Sequence, residues 1–126
     1  MLVYLASPYT HPDPKVVHRR YQIACAAAAI LMENGYTVFS PIAHSHAIAD
    51  FLPDELRFNH DLWMLQDLAI LSKSDELHVL PLPEWGHSRG VPAEMVFAAG
   101  WGIPVITRAD LMSAAIARWE ATRLEG

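Results

Sequence analysis

Two carboxylates stand out because the segments around them are apolar. Glu94 closes Ser88-Arg89-Gly90-Val91-Pro92-Ala93-Glu94 and opens the helix-like run Glu94-Met95-Val96-Phe97-Ala98-Ala99-Gly100-Trp101. At helical spacing Glu94, Phe97, Ala98 and Trp101 share one face, so an acid lies on an otherwise apolar stripe. Asp61 leads Asp61-Leu62-Trp63-Met64-Leu65-Gln66-Asp67-Leu68, where Asp61, Leu65 and Leu68 recur at i, i+4 and i+7. A carboxylate on an inward stripe is costly unless it is paired or used. Glu94 falls in or near a helix's first turn, where the dipole favours the ionised form. That suits a nucleophile or base. The plainer readings are a surface Glu at a helix start and, for Asp61, a helix N-terminal charge or a partner for His60. Asp67 and Asp75 read as solvent or turn residues.

Polar candidates cluster around these acids. Ser88 and Gly90 sit where a strand hands over to a helix N-terminus, which offers free N–H groups and partial positive charge to an anion. Arg89 could meet a phosphate there. Arg19 and Arg20 could do the same or form a solvated helix face. Tyr4 carries a phenol that could reach the end of the first strand, although a lone strand tyrosine is more often a core residue with one hydrogen bond. His44 and His46 bracket Ser45 and could line a pocket. With His60 and Asp61 they could begin a metal site. The chain has no H-E-x-x-H and no cysteine pair, so no metal and no cofactor is expected. Trp85, in the loop Pro83-Glu84-Trp85-Gly86-His87, could stack on a base or anchor the loop. Trp63 and Trp101 read as core.

The elements that must position these residues follow from the whole chain. With 126 residues, 52% hydrophobic and 18% charged, the sequence reads as one globular domain spanning residues 1–126. A formal charge of −5 and the lack of a basic stripe argue against a nucleic-acid polymer as partner, while leaving small anions open. Cys25, the one cysteine, reads as a small buried residue. With no disulfide possible within the chain, a reducing, cytoplasmic setting is expected. The apolar run Ile23–Met32 is too short to span a bilayer, so no membrane partner is expected.

Leu2–Ala6 reads as a strand covered on both faces, and Ser7–Pro14 as a proline-punctuated loop. A long helix over 14–34 stops at Asn34-Gly35. Tyr36–Ser40 is a second strand, and Pro41–Ile48 a loop or short helix. Asp54–Ser72 is a third helical region, and Glu76–Leu82 a third strand. A helix from about Ser88 leads to a fourth strand at Ile103–Thr107 and a last helix over 110–124. Alternating strands and helices imply right-handed crossovers and a parallel sheet. The expected fold is a single doubly wound, flavodoxin-like α/β domain, with four to five parallel strands flanked by helices. Ligands of such sheets bind beyond the carboxyl ends of the strands. The loops expected there are Ser7–His11, Pro41–His46, the start of the Asp54 helix, and Pro83–Glu94.

The constellation resembles the nucleoside 2-deoxyribosyltransferase superfamily over roughly Leu2 to Ile106. Val3-Tyr4-Leu5-Ala6-Ser7-Pro8 is similar to that superfamily's first strand and loop. His60-Asp61-Leu62-Trp63-Met64-Leu65 resembles its aspartate-led helix. Ser88-x-Gly90-Val91-x-x-Glu94, followed by Gly102-x-Pro104-Val105, resembles its catalytic-glutamate helix and the next strand. A serine at position 88 is more like the 2′-deoxynucleoside 5′-phosphate N-hydrolases than the transferases, which usually carry an aspartate there. The whole chain looks closest to a small, functionally undefined bacterial and phage branch. Pro8 stands where the hydrolases tend to have a phosphate-binding serine, which passes that role to Ser7 or Thr10.

The resemblance implies cleavage of the N-glycosidic bond of a (deoxy)nucleoside 5′-monophosphate, with Glu94, Asp61 and Tyr4 catalytic. Ser7, Tyr9, Thr10, His44, His46, Trp85, Ser88, Arg89 and Gly90 would bind substrate. Glu94 would attack or stabilise the anomeric carbon, Asp61 would serve the departing base and Tyr4 would orient Glu94, as two carboxylates divide roles in retaining glycosidases. The alternatives are a nucleoside 2-deoxyribosyltransferase, a non-catalytic nucleotide-binding or sensor protein, and a histidine-centred metal enzyme. A homo-oligomer, dimer or tetramer, is also implied.

Overall fold

The computed structural model describes residues 1–125. Strands β1 (Leu2–Ala6), β2 (Thr37–Phe39), β3 (Glu76–Val79) and β4 (Val105–Thr107) alternate with helices α1 (Pro14–Glu33), α2 (Pro41–Ala49), α3 (Asp54–Arg57), α4 (His60–Leu71), α5 (Gly90–Gly100) and α6 (Ala109–Glu125). A 3-10 turn, Trp85–His87, precedes α5. All strand pairs are parallel, in the order β2-β1-β3-β4. This is the doubly wound, flavodoxin-like sheet expected, with four strands. The order reverses at β1/β3, the switch point beside which doubly wound sheets bind their ligands.

β1 is apolar throughout because it is covered twice. Val3 and Leu5 pack against α1 and α6 with Ile23, Ala27, Leu31, Leu111 and Ala115. Tyr4 and Ala6 point the other way, into a second core with Leu71, Leu77, Val79, Val91 and Ala98. Alanines 24, 27 and 115 are fully buried, so α1 and α6 approach the sheet closely.

Local chemistry fixes the helix starts. Asp13 caps α1 by accepting from Lys15 N at 2.9 Å, with Pro14 as the first helical residue. Ser40-Pro41 repeats the device, so the segment read as a loop or short helix is a nine-residue helix. Asn59 caps α4 through Leu62 N at 3.1 Å. That extra start signal divides the helical region expected over 54–72 into α3 and α4.

Ala27→Leu forces three further carbon atoms into the sheet–α1–α6 seam. The expected loss is about 1–3 kcal/mol in urea unfolding, with an unchanged far-ultraviolet spectrum.

Candidate active site

Glu94 is the fifth residue of α5 and is only 5% exposed, on the inward stripe Val91, Glu94 and Ala98. The Tyr4 hydroxyl donates to its Oε2 from the middle of β1. The other oxygen, Oε1, faces Gly90, where a Cβ would stand 3.6 Å from it. Glycine therefore keeps the space over Oε1 clear.

Burial reverses the electrostatic expectation for Glu94. The residue lies beyond the first turn, where the dipole has faded. Desolvation instead pushes its carboxyl up to about 8, against the lowering effect of the Tyr4 hydrogen bond, with the charge of Asp67 pushing the same way as burial. Burial, then the Glu94 and Asp67 charges, drives the Tyr4 phenol far above its ordinary value, so Tyr4 remains a donor at any working pH.

The second carboxylate near this pair is Asp67, not Asp61. Asp67 is raised to about 6 by burial, and its charge acts on both Tyr4 and Glu94. Asp61 is exposed in the first turn of α4. The stripe Asp61, Leu65, Leu68 fails because Leu65 is 70% exposed. The inward stripe is Met64, Asp67, Leu68 and Leu71, with Leu71 fully buried. Since α4 is apolar on nearly every side, periodicity alone does not fix its phase. The available signal was one acid inside the otherwise uncharged run Leu62–Leu71, a turn before a buried leucine. Trp101, read as core, is 61% exposed and stacks on Phe97, for the same reason.

The remaining candidates are distributed along the carboxyl edge. Ser88 Oγ accepts from Val91 N at 3.1 Å, which leaves its O–H free to donate. Ser7 Oγ is buried with no partner among the described residues, which marks a polar group awaiting one. Thr10 is exposed, and its carbonyl accepts from Arg20. Arg89 is exposed at the start of α5. Trp85 is half-buried against the α4/α5 core and so anchors its loop. The adjoining Glu84 holds a left-handed backbone, φ +69°, uncommon for a residue with a Cβ.

His46 bonds the Tyr9 hydroxyl at 2.5 Å and stacks on Tyr21. His44 is exposed and packs on Phe39, which packs on Tyr4. Among the described residues no group of three or more His, Cys, Asp or Glu is arranged to hold a metal ion, so His44, His46, His60 and Asp61 do not converge. No helix among the described residues is long and apolar enough to cross a membrane.

A groove of about 450 Å³ lies elsewhere, lined by Tyr36, Arg108, Asp110 and Leu111. Its Arg108 and Asp110 neutralise each other as an ion pair. The buried, electrostatically coupled group in this structure is instead Tyr4, Asp67 and Glu94, between β1, α4 and α5.

Fold and site together define a doubly wound α/β domain with a buried glutamate, held by a strand tyrosine and with a half-buried aspartate acting on it, beside its topological switch point. The chain belongs to the DUF1937 family, a domain of unknown function, whose sequence profile matches residues 1–110. That span includes all four strands and every residue of the site. No curated protein matches the chain.

The buried Glu94 makes stability depend on pH. The native protein keeps a proton that the unfolded chain releases near 4.5, so stability present below that value is lost as pH rises through about 8. Glu94→Gln keeps an acceptor for Tyr4 and removes the charge. In urea unfolding it should exceed wild type by up to about 4 kcal/mol at pH 9, with the gap closing near pH 4.5.

Proposed function

We propose that the protein is an N-glycosidase that cleaves a (deoxy)nucleoside 5′-monophosphate to free base and sugar phosphate. The observation that carries this reading is the buried Glu94 carboxyl with one oxygen held by Tyr4 and the other facing the clear space at Gly90. At rest the pair's one proton sits mainly on Glu94. Once it passes to Asp67, ionised Glu94 attacks the anomeric carbon through Oε1 as the base departs with that proton from Asp67. Water then attacks the same carbon and surrenders a proton to Asp67, the sugar phosphate leaves, and Glu94 is regenerated. This is the division of labour of retaining glycosidases, in which the two carboxyl groups hold different protonation states.

The free O–H of Ser88, the N–H groups at the start of α5 and the unpartnered Ser7 Oγ suit a 5′-phosphate. An aspartate at position 88 would repel that group, so Ser88 favours the monophosphate over the nucleoside. Tyr9, Thr10 and Arg89 border the same edge, and His44 and Trp85 flank the base side of this reading. A cytoplasmic setting and a homo-oligomer belong to it too. The exposed Leu65, Val96 and Trp101 on the outer faces of α4 and α5 offer a surface for the second copy.

Base release, followed by chromatography over a panel of nucleosides and 5′-monophosphates, tests the proposal. Wild type should release base from monophosphates, and Glu94→Ala should fold but release none. Exchange that requires a second base would make the protein a transferase, and binding without release would make it a nucleotide-binding protein. Asp67→Asn should lose at least about 10²-fold in kcat, the scale of general acid–base help. Asp61→Asn should stay within a few-fold of wild type.

One proton on the Glu94/Asp67 pair is the working state. With the two carboxyls raised to about 8 and about 6, kcat/KM should plateau between these values and fall on both sides. In Asp67→Asn the alkaline fall should vanish. A profile flat from pH 5 to 9 in wild type would contradict the mechanism.

A further inference from the structure

Arg20 lies one and a half turns into α1 and is only 7% exposed. Its neighbours on the buried side of the helix are Ile23, Ala24, Ala27 and Leu31. Burying a guanidinium costs free energy that a carboxylate partner normally offsets, yet among the described residues Arg20 forms no ion pair. Its partners are two backbone carbonyls. Nη1 donates to Thr10 O at 3.0 Å and Nη2 to Pro83 O at 3.2 Å, positions 10 and 63 residues away in sequence.

Those carbonyls belong to the two loops that follow β1 and β3, the strands on either side of the switch point. The first runs from β1 to α1 and carries Ser7, Tyr9 and Thr10. The second runs from β3 to α5 and carries Trp85 and Ser88. Because α1 runs antiparallel to the strands and its side chains tilt toward its N-terminus, Arg20 reaches the carboxyl edge from below. Ser7 cannot tie its own loop down, since its Oγ has no partner. An apolar residue at position 20 would serve the α1 packing at lower cost, so what the guanidinium adds is the connection.

We propose that Arg20 is a positioning residue: it ties the two loops together and so sets the gap across which substrate binds. The proposal rests on the reading that substrate binds between these loops, as argued above. The guanidinium suits the task because its planar fork presents donors in fixed directions on separate nitrogens. A lysine ammonium keeps the charge and cannot hold both carbonyls in that geometry.

Backbone 15N relaxation of the ligand-free protein tests the tie without any substrate. Wild type, Arg20→Lys and Arg20→Met would be compared, with Arg19→Met as control, since Arg19 lies over the Trp119 ring 5.3 Å away. In both Arg20 variants the order parameters of residues 9–13 and 84–88 should fall together, from about 0.85 to below about 0.6, while β4 and α6 keep wild-type values. Arg19→Met should leave both loops unchanged. Should Arg20→Met fail to fold, Arg20→Lys decides alone.

With a monophosphate that wild type cleaves, Arg20→Lys should raise KM at least tenfold and leave kcat within threefold. Loops that stay rigid, or that loosen singly, would overturn the tie. Loops that loosen together without a rise in KM would overturn the positioning role. If wild type releases no base at all, the glycosidase reading falls, and the relaxation data still decide whether the tie exists.

Discussion

The structure depends on burying one carboxyl group, Glu94, in the packing between α5 and the sheet. Its position in an apolar stripe raises its proton affinity, and the Tyr4 hydroxyl restrains it from the middle of β1. Among the described residues no other side-chain hydrogen bond joins a central strand to α5. The arrangement requires β1 to carry a tyrosine toward α5 while its alternate residues, Val3 and Leu5, pack the opposite layer. A glycine one turn earlier in α5 leaves open the space that a methyl would take up in contact with Glu94 Oε1, 3.6 Å away. The result is an acid whose charge the protein resists in the absence of ligand.

Asp67 gives that acid a neighbour of different character. It is less buried and titrates lower, so near neutral pH the two groups share about one proton. Tyr4 donates permanently and cannot take that proton up. The chemistry has its counterpart in the architecture, because the pair lies where the strand order reverses and the flanking loops come from both sides of β1 and β3. The loops are held at their roots. Trp85 anchors one in the α4/α5 core, His46 fixes Tyr9 of the other, and Arg20 bonds both.

Much of the fold was legible in the sequence because its signals agree at every level. Leu2–Ala6 is apolar and short, Asp13-Pro14 and Asn34-Gly35 bracket α1, and Gly102 ends α5 with φ +76°. Glu94 and Tyr4 were also legible, as polar groups inside apolar elements. What sequence could not supply was phase. α4 and α5 are apolar on nearly all sides, so the helical period fits several inward stripes. Periodicity therefore places Asp61 and Trp101 inward and Asp67 outward, whereas the packing exposes the first two and half-buries Asp67. The ionisation of Glu94 escapes the sequence for a related reason. Its distance from the helix start weakens the dipole, and burial, a tertiary property, dominates. Arg20 beside Arg19 gave no clue which of the two turns inward.

The most direct measurement is the titration of Glu94 itself in the ligand-free protein, followed by NMR of side-chain carboxyl carbons and assigned with Glu94→Gln. The account predicts a midpoint near 8, moving higher in Tyr4→Phe, where the donor that favours the charged form is gone. A midpoint near the ordinary 4.5, unmoved by Tyr4→Phe, would mean a solvated carboxylate with no tie to the strand. That result would contradict the account.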